Sequence, residues 1–218
     1  GIPAKELIEG PPRRRHPILL RQTSFKALEE EIEFAGQARV GSHTARFGEI
    51  EQRGVALTQA GRALYDSLLA QARDAGQQAA TTQTYAERLQ HVFAQFPDDS
   101  DEMYERGLAF FRFEPRDPAI WQQELAAGRP WNLPDLIKRG VVALNPITYE
   151  DFLPVSAAGI FQSNLGDAEQ RNYVSQAARS EFERDLGGPV LDEIELYRAA
   201  QMRSEHALQQ RFLAESRL

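Results

Sequence analysis

The sequence predicts an α+β fold, with strands gathered in the first 54 residues and a mainly helical remainder. Three observations carry this. Residues 43–53 read as a strand, whose two-residue period brings His43, Ala45, Phe47, Glu49, Glu51 and Arg53 to one side. From Leu57 onward the period lengthens, with Leu57, Ala60, Leu64, Leu68 and Gln71 at helical spacing. The chain closes on a long amphipathic stretch from Leu191 to Leu213.

In order along the chain, residues 1–16 read as a short turn of helix and a Pro/Arg-rich connector, because Gly10-Pro-Pro12 stops any helix. Arg13-Arg-Arg-His16 reads as a solvated basic loop. Residues 17–23 read as a strand. Residues 28–34 fit two patterns: strand alternation of Leu28, Glu30, Ile32 and Phe34, or a helix placing Leu28, Ile32 and Ala35 on one side. Gly36 to Gly41 is a turn. In the strand that follows, positions 43, 45, 47, 49, 51 and 53 are expected on one face, which gathers His43, Phe47, Glu49, Glu51 and Arg53.

Thr58 is placed to cap the first helix. Tyr85, Leu89, Val92, Phe93 and Phe96 form a second helical stripe, ended by Pro97. Residues 101–138 read as helical pieces broken by Pro115, Pro118, Pro130 and Pro134. Val141 to Leu144 is a short apolar strand. Residues 154–166 form a Gly/Ser/Ala-rich loop, and a helix is expected from about Asp167 to Gly187.

Composition narrows the function classes. A chain of 218 residues with 42% apolar content can bury one substantial core. A net charge of −7 argues against a general nucleic-acid binder. With no cysteine, disulfides and thiolate sites are excluded, so any metal must be held by histidine, carboxylate or water. No apolar run approaches the roughly 20 residues a membrane helix needs, and no secretory pattern opens the sequence, so a cytoplasmic protein is expected. The chain opens on Gly1 without a strong start signal, which suggests a piece of a longer protein.

Candidate chemistry centres on Phe47-Gly-Glu-Ile-Glu-Gln-Arg53. His43 and Glu49 cannot bind one ion along a regular strand. Six residues span roughly 20 Å, whereas metal–ligand bonds are about 2 Å. Glu49 and Glu51 are about 6.6 Å apart along a strand, so one of the two is the ligand candidate. His91 and His206 lie on expected helices and read as surface or partner residues. Pro154-Val-Ser-Ala-Ala-Gly159 is a second candidate. Its small residues let a ligand approach the backbone, and Ser156 adds a hydroxyl; the same pattern also suits a tight connector under the final helices.

The Phe47–Arg53 strand resembles the one that supplies the glutamate ligand in vicinal-oxygen-chelate dioxygenases. Together with Arg13-Arg-Arg-His-Pro-Ile-Leu-Leu-Arg-Gln-Thr-Ser-Phe-Lys-Ala-Leu28 and Tyr149-Glu-Asp-Phe-Leu-Pro-Val-Ser-Ala-Ala-Gly-Ile-Phe-Gln-Ser-Asn-Leu-Gly166, it resembles the 2-oxoadipate dioxygenase/decarboxylase family, over that family's C-terminal half. The resemblance implies a curved mixed sheet of vicinal-oxygen-chelate type with an added C-terminal helical region, and favours strand for residues 28–34. It implies one metalloenzyme domain over 1–218, with sheet and pocket in 1–54 and 141–166 and helices in 55–140 and 167–218.

The resemblance further implies an Fe(II) enzyme of lysine catabolism that converts 2-oxoadipate and dioxygen to 2-hydroxyglutarate and carbon dioxide. Glu49 would be the metal ligand, and two histidines would come from an N-terminal half outside this chain. Val155 and Ser156 would contact the 2-oxo dicarboxylic acid, with Arg21, Gln22 and Ser24 as further pocket residues and Glu51 as a supporting group. The competing readings are a glyoxalase-like metal isomerase or hydrolase and a non-enzymatic half that binds a partner chain.

Overall fold

A computed structural model describes residues 5–33, 40–78, 84–150, 183–185, 187–189 and 191–217. The first unit is an antiparallel sheet of β1 (Lys5–Glu9), β2 (Leu20–Glu33) and β3 (Val40–Arg53), with β2 in the centre. β1 replaces the turn of helix expected at the start. Its Lys-Glu-Leu-Ile-Glu run is too short to sustain a helix before Gly10, and pairing with Gln22 to Lys26 satisfies its backbone instead. Residues 28–33 are strand, as the resemblance favoured. Pairing from Glu29↔Thr44 to Glu33↔Val40 holds this glutamate-rich stretch extended despite its poor strand propensity.

The β2–β3 ladder slips twice. Ser24 pairs with Glu49 but Phe25 pairs with Phe47, which leaves Gly48 as an extra residue in β3. Lys26 pairs with Arg46 but Leu28 with Ala45, which leaves Ala27 extra in β2 and restores the register. Bulges of this kind bend a strand and increase its twist. The one-face expectation for residues 43–53 assumed an unbroken two-residue period, and the extra residue at Gly48 interrupts that period in the backbone.

Beyond β3 the main core assembles. Thr58 caps α1 (Gln59–Gln78), accepting from the Gly61 amide at 3.1 Å, as expected. The inward face of α1 carries Gly61, Tyr65, Leu68 and Ala72, one step round from the expected stripe, and Ala60 and Gln71 are exposed. A capping box between Thr84 and Glu87 starts α2 (Tyr85–Phe93), whose Leu89, Val92 and Phe93 are buried with Phe96. Short helices α3 (Ser100–Glu105), α4 (Pro118–Ala126) and α5 (Leu133–Lys138) begin at Asp99, Asp117 and Asn132, each accepting from backbone amides of its own first turn.

The stretch expected to be wholly helical also contains β4 (Phe111–Pro115), which pairs antiparallel with β5 (Val142–Pro146). Its alternation of buried Phe111 and Phe113 with exposed Arg112 and Glu114 is a strand signature that the surrounding prolines obscured. The final helix, α6 (Glu193–Glu215), lies against β4. Gln201 Oε1 accepts from the Phe111 amide at 2.8 Å and Ser204 Oγ from the Phe113 amide at 2.7 Å, so two side chains satisfy backbone donors at the strand edge. Phe212 of α6 packs edge-on against Trp121 and Trp131. Among the described residues, no helix is long and apolar enough to cross a membrane.

Candidate functional site

The end of β3 is fixed by an unusually close crossing. Gly54 donates to the Leu19 carbonyl at 2.6 Å, and Val55 donates to Pro17 and accepts from Leu19. Leu19 adopts φ of 50°, a left-handed conformation rare for a non-glycine residue, and this turns the chain from the parallel Ile18–Val55 bridge into the antiparallel start of β2. A Cβ on Gly54 would lie 2.2 Å from the Pro17 carbonyl carbon, so only glycine fits.

A second strand segment meets the same point. Thr148 bridges Val55 antiparallel, and the Tyr149 amide donates to the Gly54 carbonyl at 2.8 Å. The Arg62 guanidinium lies over the Tyr149 ring at 5.1 Å, and the Glu150 amide donates to the Tyr197 hydroxyl at 2.8 Å. The chain therefore reaches Glu150 running antiparallel to β3, in the direction that leads from Gly54 towards Glu49.

Glu49 lies within β3, opposite Ser24. Gln22 is the register partner of Glu51 and Arg21 that of Gln52. Arg21, Gln22 and Ser24, expected as further pocket residues, thus lie on the strand paired with Glu49 to Gln52. The Glu51 and Arg53 carboxylate and guanidinium are 3.8 Å apart and both substantially exposed. His43 pairs with Glu30, six residues along β3 from Glu49. Val155 and Ser156, like the expected helix over most of 167–187, fall outside the described residues.

The other histidines are placed elsewhere. His91 and His206 are exposed on α2 and α6, as expected. His16 belongs to a clamp that the sequence reading did not find. Its ring Nδ1 lies 2.7 Å from the Asp98 carbonyl, and its amide donates to the Asp98 carboxylate at 2.7 Å, beside the Arg15 amide at 3.0 Å. Burial pushes the Asp98 carboxyl up, but these two amides, with Arg14 and His16, outweigh it and hold it below the ordinary carboxylate range.

Arg14 corrects the solvated-loop expectation outright. Its side chain is 4% exposed, and it donates to the carbonyls of Phe93, Phe96 and Pro97. Among the described residues, no three His, Cys, Asp or Glu side chains gather as a metal cluster. A surface cavity of about 440 Å³ between α3 and α5, lined by Asp101, Tyr104, Asn132 and Lys138 among others, holds none of the residues singled out above.

Residues 1–164 match the family model described as 2-oxoadipate dioxygenase/decarboxylase. A 2-oxoadipate dioxygenase/decarboxylase of Pseudomonas putida is 55% identical over 214 residues, covering 96% of this chain and 46% of the relative. One from Escherichia coli is 57% identical over 206 residues, covering 94% of this chain and 44% of the relative. The crystal structure of the hydroxyglutarate synthase of Pseudomonas putida in complex with 2-oxoadipate superposes with a TM-score of 0.70 at 46% identity, covering 97% of this chain and 45% of that one. The chain thus spans less than half the length of the relatives it matches, and its mixed α/β architecture with small open sheets is similar to theirs. On the match over residues 1–164, the chain belongs to the 2-oxoadipate dioxygenase/decarboxylase family.

Proposed function

We propose that this chain supplies the carboxylate ligand and part of the substrate pocket of an Fe(II)-dependent enzyme that converts 2-oxoadipate and dioxygen to 2-hydroxyglutarate and carbon dioxide. The observation that carries the reading is the family match, joined to a 46% identical structural neighbour whose complex contains 2-oxoadipate. Both atoms of dioxygen are accounted for in the two products, so no second oxo acid is needed as co-substrate. The paired bulges of β2 and β3 support a curved sheet of vicinal-oxygen-chelate type.

The residues present fit iron only in part. Glu49 would hold the metal, with Ser24 as its neighbour in register. All four histidines of the chain have been placed, and none joins a ligand cluster among the described residues. Two imidazoles would therefore come from outside these 218 residues, which agrees with the share of each relative that the chain covers. When bound, iron supplies the oxygen chemistry; the protein residues orient the 2-oxo acid and keep water away. Val155 and Ser156 would contact that acid. In support, the last described residues before them run antiparallel to β3 from Gly54 towards Glu49.

The test uses the full-length protein, loaded with Fe(II) without oxygen and then given oxygen and 2-oxoadipate. Oxygen uptake matched by carbon dioxide release and 2-hydroxyglutarate is expected. Turnover without oxygen uptake would instead mark a glyoxalase-like isomerase or hydrolase on the same fold. Glu49→Ala is expected to lose iron and turnover together; retained iron with normal turnover would remove Glu49 from the ligand set. Ser156→Ala is expected to weaken substrate binding more than iron binding, since a hydrogen bond to a charged group is worth about 1.5–3 kcal/mol.

A further inference from the structure

We propose that Leu19 is a positioning residue: its left-handed backbone sets the register that stands Ser24 opposite Glu49, and so the place at which β3 offers its carboxylate to a metal. The inference rests on the metal role proposed for Glu49.

Among the described residues, Leu19 is the one non-glycine residue with a positive φ, at 50°. A leucine is strained there, because its Cβ crowds the backbone, and such strain persists only where the surroundings over-determine it. The surroundings do so from two sides. Gly54 packs so closely that an added Cβ would lie 2.3 Å from the Ile18 nitrogen. On the other side a Cβ on Gly10, the residue after β1, would lie 2.3 Å from the Leu20 carbonyl oxygen. The Leu19 amide donates to the Val55 carbonyl at 3.0 Å, and its own carbonyl accepts from Gly54 at 2.6 Å. Ile18 and Leu19 are both buried in the main core.

What this conformation decides is register. Ile18 bridges Val55 in parallel, and one residue after Leu19 the chain pairs antiparallel, Leu20 with Arg53. From that pair the ladder runs without a break to Ser24 and Glu49. The first bulge, at Gly48, comes immediately beyond. A bulge takes up an extra residue, so pairing on its far side does not dictate pairing on the near side. The block that carries Glu49 is therefore aligned from its Leu19 end. A slip of one residue there would put a neighbour of Ser24 opposite Glu49 and turn the side chains of the strand over.

The side chain and the backbone of Leu19 make opposite demands on a substitution. Leu19→Ile keeps a buried apolar side chain of equal size, but branching at Cβ makes the left-handed region far less accessible. Leu19→Gly keeps the conformation and relieves its strain, but empties a place in the core. If Leu19 served packing alone, isoleucine would be the milder change on every measure.

The experiment compares both variants in the full-length protein. Fe(II) affinity is measured by equilibrium dialysis without oxygen, amide hydrogen exchange by mass spectrometry over peptides covering 20–24 and 49–53, and stability by thermal unfolding. Leu19→Ile is expected to weaken iron binding about tenfold, the size of one strained backbone position. It should also speed exchange in those two stretches while β4 exchanges as in the parent. Leu19→Gly is expected to have the lower Tm, yet to bind iron within about threefold of the parent. Should it fail to fold, Leu19→Asn takes its place with the same expectation for iron, since asparagine also enters the left-handed region. Iron affinity within about twofold of the parent in Leu19→Ile would overturn the proposal. So would weaker iron binding in Leu19→Gly than in Leu19→Ile, which would make Leu19 a packing residue. Exchange as expected, in a protein whose Glu49→Ala variant keeps its iron, would leave the register role standing and bring down the metal reading of Glu49 instead.

Discussion

The guanidinium of Arg14 donates to the Phe96 carbonyl at 2.9 Å, joining two points 82 residues apart in sequence. The same group donates to the carbonyls of Phe93 and Pro97 and lies over the Phe96 ring at 5.3 Å. The Phe93 carbonyl closes α2, and those of Phe96 and Pro97 lie in the connection that follows, beyond the helical ladder. Burial lowers the Arg14 pKa, although nearby Asp98 opposes that, and an arginine still keeps its charge. Arg14→Ala is expected to destabilise the protein by about 2–4 kcal/mol, because several carbonyls lose a charged donor at once. Arg14→Lys should recover only part of this, since an ammonium is a compact point donor and not a planar fork. Urea denaturation reads both; a loss below about 0.5 kcal/mol for the alanine variant would place Arg14 among ordinary surface residues.

Arg14 also shows where sequence reading ends. The strand over 43–53, the cap at Thr58 and the closing helix were legible because each is local: a period of two or 3.6, or a side chain serving its own first turn. What decides Arg14 is a set of carbonyls far along the chain, and nothing in Arg13-Arg-Arg15 tells the buried arginine from its exposed neighbours. Register failed for a related reason. Two offsetting bulges at Gly48 and Ala27 are set by pairing between strands, so alternation counted along β3 alone missed the break in its two-residue period. Glu49 is singled out from Glu51 as the ligand candidate only through family resemblance; the structure adds its register partner Ser24 and the approach of Tyr149 to Gly54.

Glu124 should give stability a pH dependence of known sign. It is buried on α4 and bonded by both Arg139 and Arg129. The Arg139 hydrogen bonds depress its pKa; burial opposes them, and the charge of both arginines adds to the depression. A carboxylate with a lowered folded pKa contributes fully above its unfolded value near 4.5 and loses that contribution as pH falls through the lower folded value. Glu124→Gln is expected to cost about 2 kcal/mol at pH 7, less than a fully buried pair because both arginines are partly exposed. The gap between parent and variant should narrow as pH falls from neutral through the carboxylate range. Chemical denaturation at several pH values checks this, and a gap that widens in acid would contradict it.

Gly54 tests whether the crossing at the end of β3 can relax. The Cβ of Gly54→Ala would meet the Pro17 carbonyl carbon at 2.2 Å and the Ile18 nitrogen at 2.3 Å, both backbone atoms in the buried junction. Backbone cannot rotate aside as a side chain would, so a loss of about 3 kcal/mol or more is expected. Gly107→Ala is the comparison. There φ is +62° but no atom lies within 4 Å of the added carbon, so only the conformational penalty of about 1 kcal/mol applies. Thermal unfolding of the two variants should separate steric from conformational cost, and equal losses would show that the junction gives way.

Residues 1–218 alone are expected to bind Fe(II) weakly and to leave 2-oxoadipate unchanged. The reason is ligand supply. The chain has no cysteine, and its four histidines are spent or distant. His16 is engaged with Asp98, His91 and His206 are exposed on α2 and α6, and His43 is six residues along β3 from Glu49. Six strand residues cover roughly 20 Å, ten times a metal–ligand bond, and the bulges of this ladder shorten that span only locally. One carboxylate leaves iron held mostly by water, and supporting hydrogen bonds cannot stand in for absent imidazoles. The measurement is equilibrium dialysis of the purified 218-residue chain against Fe(II) without oxygen, followed by oxygen and 2-oxoadipate. Stoichiometric iron with 2-hydroxyglutarate formed would show that this chain brings its own histidine ligands to Glu49, and that β3 folds back far enough to unite them.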